Sequence, residues 1–145
     1  MLDIHIKTIP HKEQRYPTLG DYWRNSDGKQ EMRISEMGND DYAFLIAVHE
    51  LIEWYITEKR GIKEEDIKVF DEAFEKERLQ GLHTEKDEAG FDSRAPYVKE
   101  HTFATNIERQ IAKELGVDWN IYDTEIKALF AKLEAAENTK AGTEK

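Results

Sequence analysis

The sequence predicts an α+β fold in which an N-terminal three-stranded antiparallel sheet packs on about four helices. Three observations carry that expectation. Apolar residues alternate with polar ones before residue 39, they recur at helical spacing after it, and the change falls at Asn39-Asp40, a pair suited to cap a helix. With 145 residues the chain has room for one core, expected over residues 1–137 as a single domain with a frayed tail over 138–145.

The first strand is read from Ile4, Ile6 and Thr8 alternating with Asp3, His5 and Lys7 up to Pro10, the pattern of a half-buried strand. The second and third, Asp21–Arg24 and Gln30–Ile34, flank a segment that contains Asp27-Gly28, a strong hairpin signal. A helix over 40–60 follows, with Lys59 and Arg60 in its last turn and Gly61 just beyond. Tyr42, Phe44, Leu45, Ile46, Val48, Leu51, Ile52, Trp54, Tyr55 and Ile56 cover nearly its whole circumference, so it is expected to be the buried central helix. A helix over about 63–79 carries a narrow stripe of Ile67, Phe70 and Phe74 in an acidic surround that reads as a solvated face. Residues 80–95 lack periodicity and read as a long polar loop. Pro96 suits the first position of a third helix that ends before Gly116, and a fourth begins near Asp118 with Ile126, Leu129, Phe130 and Leu133.

Charge and composition narrow the function. The chain holds 31 acids and 21 bases, a net charge of −10, and residues 1–38 are balanced at six of each, so the excess lies in the helical part. Such a domain repels phosphate backbones and anionic lipid, which argues against nucleic acid and membrane surfaces as partners. The absence of Cys removes disulfides, thiolate zinc sites, iron–sulfur clusters and cysteine nucleophiles, so any metal rests on His and carboxylates. No apolar run approaches the length of a membrane span, and Met1–His5 lacks the features of a signal peptide, so a cytoplasmic location is expected.

The sharpest local feature is His49-Glu50-Leu51-Ile52-Glu53. His49 and Glu53 are four apart, about 40° around a helix at about 100° per residue, so both project from one face. An unpartnered carboxylate on an otherwise apolar helix costs several kcal/mol, so Glu53 demands a cation or donors. Glu50 points about 100° away, the relation in which a helix holds zinc with one residue and takes a proton from water with the next. On the third helix His101 and Glu108 fall within about 40° of the stripe formed by Tyr97, Ala104, Ile111 and Leu115. Two helices thus turn a His and a Glu inward. His49, Glu53, His101 and Glu108 are the expected ligands of a divalent ion, zinc first among Zn²⁺, Mn²⁺ and Fe²⁺, and Glu50 is the expected catalytic base. Glu100 is a further candidate, and acids without a ligand role can orient the imidazoles from outside. The opposing reading makes the cluster a hydrogen-bonded core feature in which Arg60 or Arg109 pairs with a buried Glu. His5 and His11 read as surface residues, and His83, with Asp92 in the long loop, as either a solvent-exposed residue or one that closes over the site.

A β-rich start feeding a helix that bears His49-Glu50 resembles the minimal zincin arrangement over roughly residues 20–110, with Glu53 where the second His of H-E-x-x-H would stand. That resemblance implies His49 as ligand, Glu50 as base, Glu53 as an unusual ligand and His101 or Glu108 as the third. Separately, Lys7-Thr8-Ile9-Pro10-His11 with Gln14-Arg15-Tyr16, Val48–Glu53, Ala95-Pro96-Tyr97, Glu100-His101 and Phe103–Glu108 together resemble a family of small uncharacterised proteins of phages and prophage-bearing bacteria. It spans almost the whole chain and implies a cytoplasmic protein, bringing no activity with it.

Three functions therefore compete. The first is a metal-binding protein with a zincin-like half-site, a hydrolase of an unidentified small molecule or peptide. The second is a small acidic interaction protein whose His/Glu cluster is structural. The third is a Mg²⁺-dependent nucleotide pyrophosphohydrolase, suggested by Glu50 and Glu53 as E-x-x-E, though a paired acidic motif on a later helix is not evident. Gly-rich phosphate loops and nucleophile elbows are missing from the sequence.

Overall fold

The computed structural model describes the backbone of residues 1–143 and the side chains of residues 1–136. Three strands, β1 (Ile4–Ile9), β2 (Gly20–Arg24) and β3 (Gln30–Ser35), precede four helices, α1 (Asp40–Lys59), α2 (Glu64–Leu79), α3 (Val98–Glu114) and α4 (Trp119–Thr143). The α+β class is as expected. The tail expected over 138–145 lies outside the residues whose side chains are described.

The sheet is mixed, which corrects the expectation of a purely antiparallel one. Its order is β1-β3-β2. The β2–β3 hairpin is antiparallel, with Tyr22 opposite Met32, and Gly28 takes the positive φ of 80° that its turn requires. β1 instead pairs parallel with the far side of β3, from Ile4 opposite Gln30 to Ile9 opposite Ser35. The Pro10–Leu19 connection, with one 3₁₀ turn at His11–Glu13, is long enough to step across the width of β3 before β2 begins. β3 is consequently the central strand, with Met32 and Ile34 almost wholly buried, whereas β1 is not half-buried as its alternation suggests: Ile6 is 44% exposed.

Asn39 caps α1, its side-chain oxygen accepting from the Tyr42 N–H at 3.2 Å, and Asp40 and Asp41 complement the positive end of the helix. At the other end Gly61 adopts φ 71°, where the chain turns towards α2. α1 is not covered on every side. Leu45, Ile46, His49, Glu53, Trp54 and Thr57 face inward, while Phe44 and Tyr55 are 52% and 45% exposed.

Two apolar clusters form the interior. Leu19, Ile34, Ala43, Leu45, Ile46, Ala112 and Tyr122 join the sheet to α1, α3 and α4. Ile67, Ala95 and Tyr97, with Ile62, Phe70 and Val98 against them, pack α2 beside the start of α3. Full burial of a Leu or Ile side chain contributes about 1.5–3 kcal/mol, so these clusters help offset the cost of ordering the elements they join. Tyr122 from the first cluster and Tyr97 from the second both reach the polar seam between α1 and α3. Among the described residues no helix is long and apolar enough to cross a membrane.

Candidate metal centre

The helix period sets the seam. His49 and Glu53 lie one turn apart on the buried side of α1, and antiparallel packing places His101 of α3 against them and Glu108 two turns further along. All four side chains are buried. His49 Nε2 lies 2.9 Å from Glu53 Oε2, His101 Nδ1 lies 2.7 Å from the same oxygen, and the two nitrogens are 3.2 Å apart. The edge of a tetrahedron of ligands about zinc is about 3.3 Å for bonds of about 2.0–2.1 Å, so the three atoms already stand close to the spacing that one ion imposes. His49, Glu53 and His101 form the one group among the described residues with ligand atoms close enough to hold a metal ion.

The predicted ligands divide. Glu108 does not join the three. It takes the outer side of His49, where its Oε1 accepts from Nδ1 at 2.8 Å while its Oε2 accepts from the Tyr122 hydroxyl at 2.5 Å. The angular reading placed Glu108 on the right face, but its position along α3 carries it past Glu53. Glu100 is buried and bonded to Arg60 at 2.9 Å, so the arginine pairing considered from sequence falls on the residue next to His101 and not on Glu53 or Glu108. Arg109 lies over the Trp119 ring instead.

Glu50 turns towards β2. A Cβ at Gly20 would come 2.9 Å from Glu50 Cγ and 3.1 Å from its Oε1, so the absence of a side chain at that point of the strand makes room for the carboxyl. The environments of Glu50 and Glu53 drive their proton affinities apart. Burial first, and then the neighbouring Glu53 charge, raise Glu50 well above the usual carboxylate range. Burial also works to raise Glu53, but hydrogen bonds from His101 and His49 outweigh it and hold Glu53 ionised. Both imidazoles are raised: burial opposes the cation, and the carboxylates, Glu108 and Glu53 at His49, Glu53 and Glu88 at His101, more than offset it.

Three residues that sequence reasoning missed close the site from the loop between α2 and α3. Glu88 lies beside His101, Gly90 packs on its ring, and Phe91 meets the ring edge-on with centroids 4.6 Å apart. Gly90 is buried, and a Cβ there would fall 2.4 Å from His101 Cγ. A Gly in mid-loop, apart from the Gly81 that follows α2, was the available signal. His83 does not close over the site; its Nε2 meets Glu77 at 2.6 Å and its ring stacks on Phe74. His5, as expected, is exposed, and His11 Nδ1 lies 2.9 Å from Ser35 Oγ.

These three residues could hold a metal ion. Two imidazoles and one carboxylate suit Zn²⁺ or Fe²⁺ better than Mg²⁺, which prefers oxygen alone. No protein-family model, curated protein or solved structure matches the chain.

Proposed function

We propose that this protein binds a divalent metal, zinc foremost, through His49, Glu53 and His101, and that it acts as a metal-dependent hydrolase in which Glu50 is the general base. The observation that carries the reading is the convergence of three donor atoms at 2.7–3.2 Å from one another, with no guanidinium or ammonium among the described residues bonded to Glu53. His49 Nδ1 faces Glu108, so a neutral His49 that keeps its proton there would turn the lone pair of Nε2 towards Glu53 and His101. Lone pairs so placed repel unless a proton or a metal ion lies between them.

A bound ion would supply Lewis-acid chemistry. Glu53 would contribute the negative charge that binds it, and Glu50, the residue next to His49 on α1, is the carboxylate that would accept a proton from water held at the site. The substrate, a small molecule or a peptide, is left open by the geometry. A Mg²⁺-dependent nucleotide pyrophosphohydrolase fits less well, because the E-x-x-E pair is split: Glu53 sits between two nitrogens, while Glu50 faces the sheet.

Elemental analysis of the untagged protein, purified and then dialysed against zinc, tests this. One ion per chain is expected, lost in Glu53→Gln and retained in Glu50→Gln, with zinc-dependent hydrolysis of p-nitrophenyl acetate abolished by Glu50→Gln. A wild type without bound metal would leave the interaction-protein reading, in which protons alone satisfy the cluster. Equal loss of metal from both variants would remove the division between ligand and base.

A further inference from the structure

The two histidines present different ring nitrogens to Glu53, Nε2 from His49 and Nδ1 from His101. Their outer nitrogens face carboxylates carried by different elements. Glu108 on α3 already accepts from His49 Nδ1 at 2.8 Å and is held from beyond by the Tyr122 hydroxyl of α4. His101 Nε2 is buried without a hydrogen-bond partner among the described residues. The nearest carboxylate oxygen, Glu88 Oε1, stands 3.5 Å away, and the other oxygen of Glu88 is 3.5 Å from Lys127 Nζ on α4.

A buried N–H without a partner is costly, and a shift of about 0.6 Å by Glu88 would restore an ordinary hydrogen bond. Glu88 is well placed to make it. It opens the 3₁₀ turn Ala89–Phe91, whose Gly90 and Phe91 already rest on the His101 ring. An ion on Nδ1 draws electron density from that ring and makes the N–H at Nε2 a stronger donor, so the attraction for a carboxylate rises when the site is filled.

We propose that the centre takes its ion through Nε2 of His49 and Nδ1 of His101, with Glu108 and Glu88 as positioning residues that fix opposite tautomers, and that filling the site draws Glu88 and the 88–91 turn onto His101. The inference rests on the metal-centre reading above. It makes the α2–α3 loop a part that responds to the ion although it supplies no ligand.

The test is long-range ¹H–¹⁵N correlation of histidine-labelled wild type titrated with zinc chloride, combined with amide hydrogen exchange. Zinc is expected to shift His49 Nε2 and His101 Nδ1 while His49 Nδ1 and His101 Nε2 keep their protons, and to slow exchange over 88–91 about tenfold. Glu88→Gln should weaken zinc binding by about 10–100-fold, the range for an outer partner of a ligating imidazole, and abolish the slowing. Glu85→Gln, exposed on the same loop, should do neither. Ligation of both rings through Nε2 would overturn the inference and leave the metal centre standing, as would a Glu88→Gln protein that binds zinc and protects the turn like wild type. Histidine signals unmoved by zinc would remove the metal centre and this inference with it.

Discussion

His83 and Glu77 meet at 2.6 Å, closer than His49 and Glu53 at 2.9 Å, yet only the second pair invites a metal. At Glu77, Arg94 occupies both carboxylate oxygens at 2.9 and 2.8 Å, so a permanent cation already balances the charge, and the His83 ring is spent on Phe74 at 4.0 Å. At Glu53 the second partner is another imidazole. Neither ring carries a fixed charge, so the three donors can give up protons and accept one ion in their place. A His near a Glu does not make a metal site. What matters is whether the cation beside the carboxylate is permanent or exchangeable, and whether a third donor arrives.

The largest effect should come from breaking the exchangeable cluster. Glu53→Ala is expected to lower zinc affinity by more than about 100-fold, beyond the range for outer partners, and to destabilise the metal-free protein by about 3–5 kcal/mol, because two buried imidazoles lose the charge they share. Isothermal titration with zinc and urea unfolding read the two quantities, and wild-type values in both would dissolve the distinction between the clusters. Gly90→Ala comes next. Its Cβ would press into the His101 ring, so a loss of about 1–3 kcal/mol is expected from overpacking, along with about tenfold weaker zinc binding. Calorimetric unfolding with and without zinc tests whether that turn supports the ring.

The smallest effect belongs to the permanent cluster. Arg94→Ala should change stability little at neutral pH, leave zinc binding untouched and create no new site, since His83 and Glu77 offer only two donors. It should also change the acid profile. Arg94 first, and His83 after it, hold Glu77 down at about 2. A carboxylate depressed in the folded state contributes stability above its unfolded value of about 4.3 and loses it as pH falls through the folded value. The gap between wild type and Arg94→Ala should therefore be open at neutral pH and shrink as pH falls from about 4 to 2. A gap constant over that window would show that Arg94 acts through packing alone.

How far sequence reasoning reached depended on whether periodicity carried the information. The helix period has a direction, so the inward turn of His49, Glu53, His101 and Glu108 was legible, as were the start of α1 at Asn39-Asp40 and the Asp27-Gly28 hairpin. Angles say nothing of distance along the axis, which is why Glu108 was expected among the ligands and lies behind His49 instead. The alternation of β1 identifies faces, not neighbours, so its parallel seat on β3 was hidden until the Pro10–Leu19 connection was seen to cross the sheet. Glu88, Gly90 and Phe91 lie in a stretch without period, where only three-dimensional proximity reveals a role.

The seat of β1 also decides which backbone edge of the sheet faces outward. β3 carries Met32 and Ile34 and would offer a bare ladder of N–H and C=O groups if the hairpin stood alone. β1 covers that ladder along six residues and turns outward a strand interrupted by His5 and Lys7, a poor template for pairing with another chain. It therefore works as a cover strip: a chain lacking residues 1–9 should reveal its defect as precipitation that grows with concentration, while the helical seam around His49 is still intact.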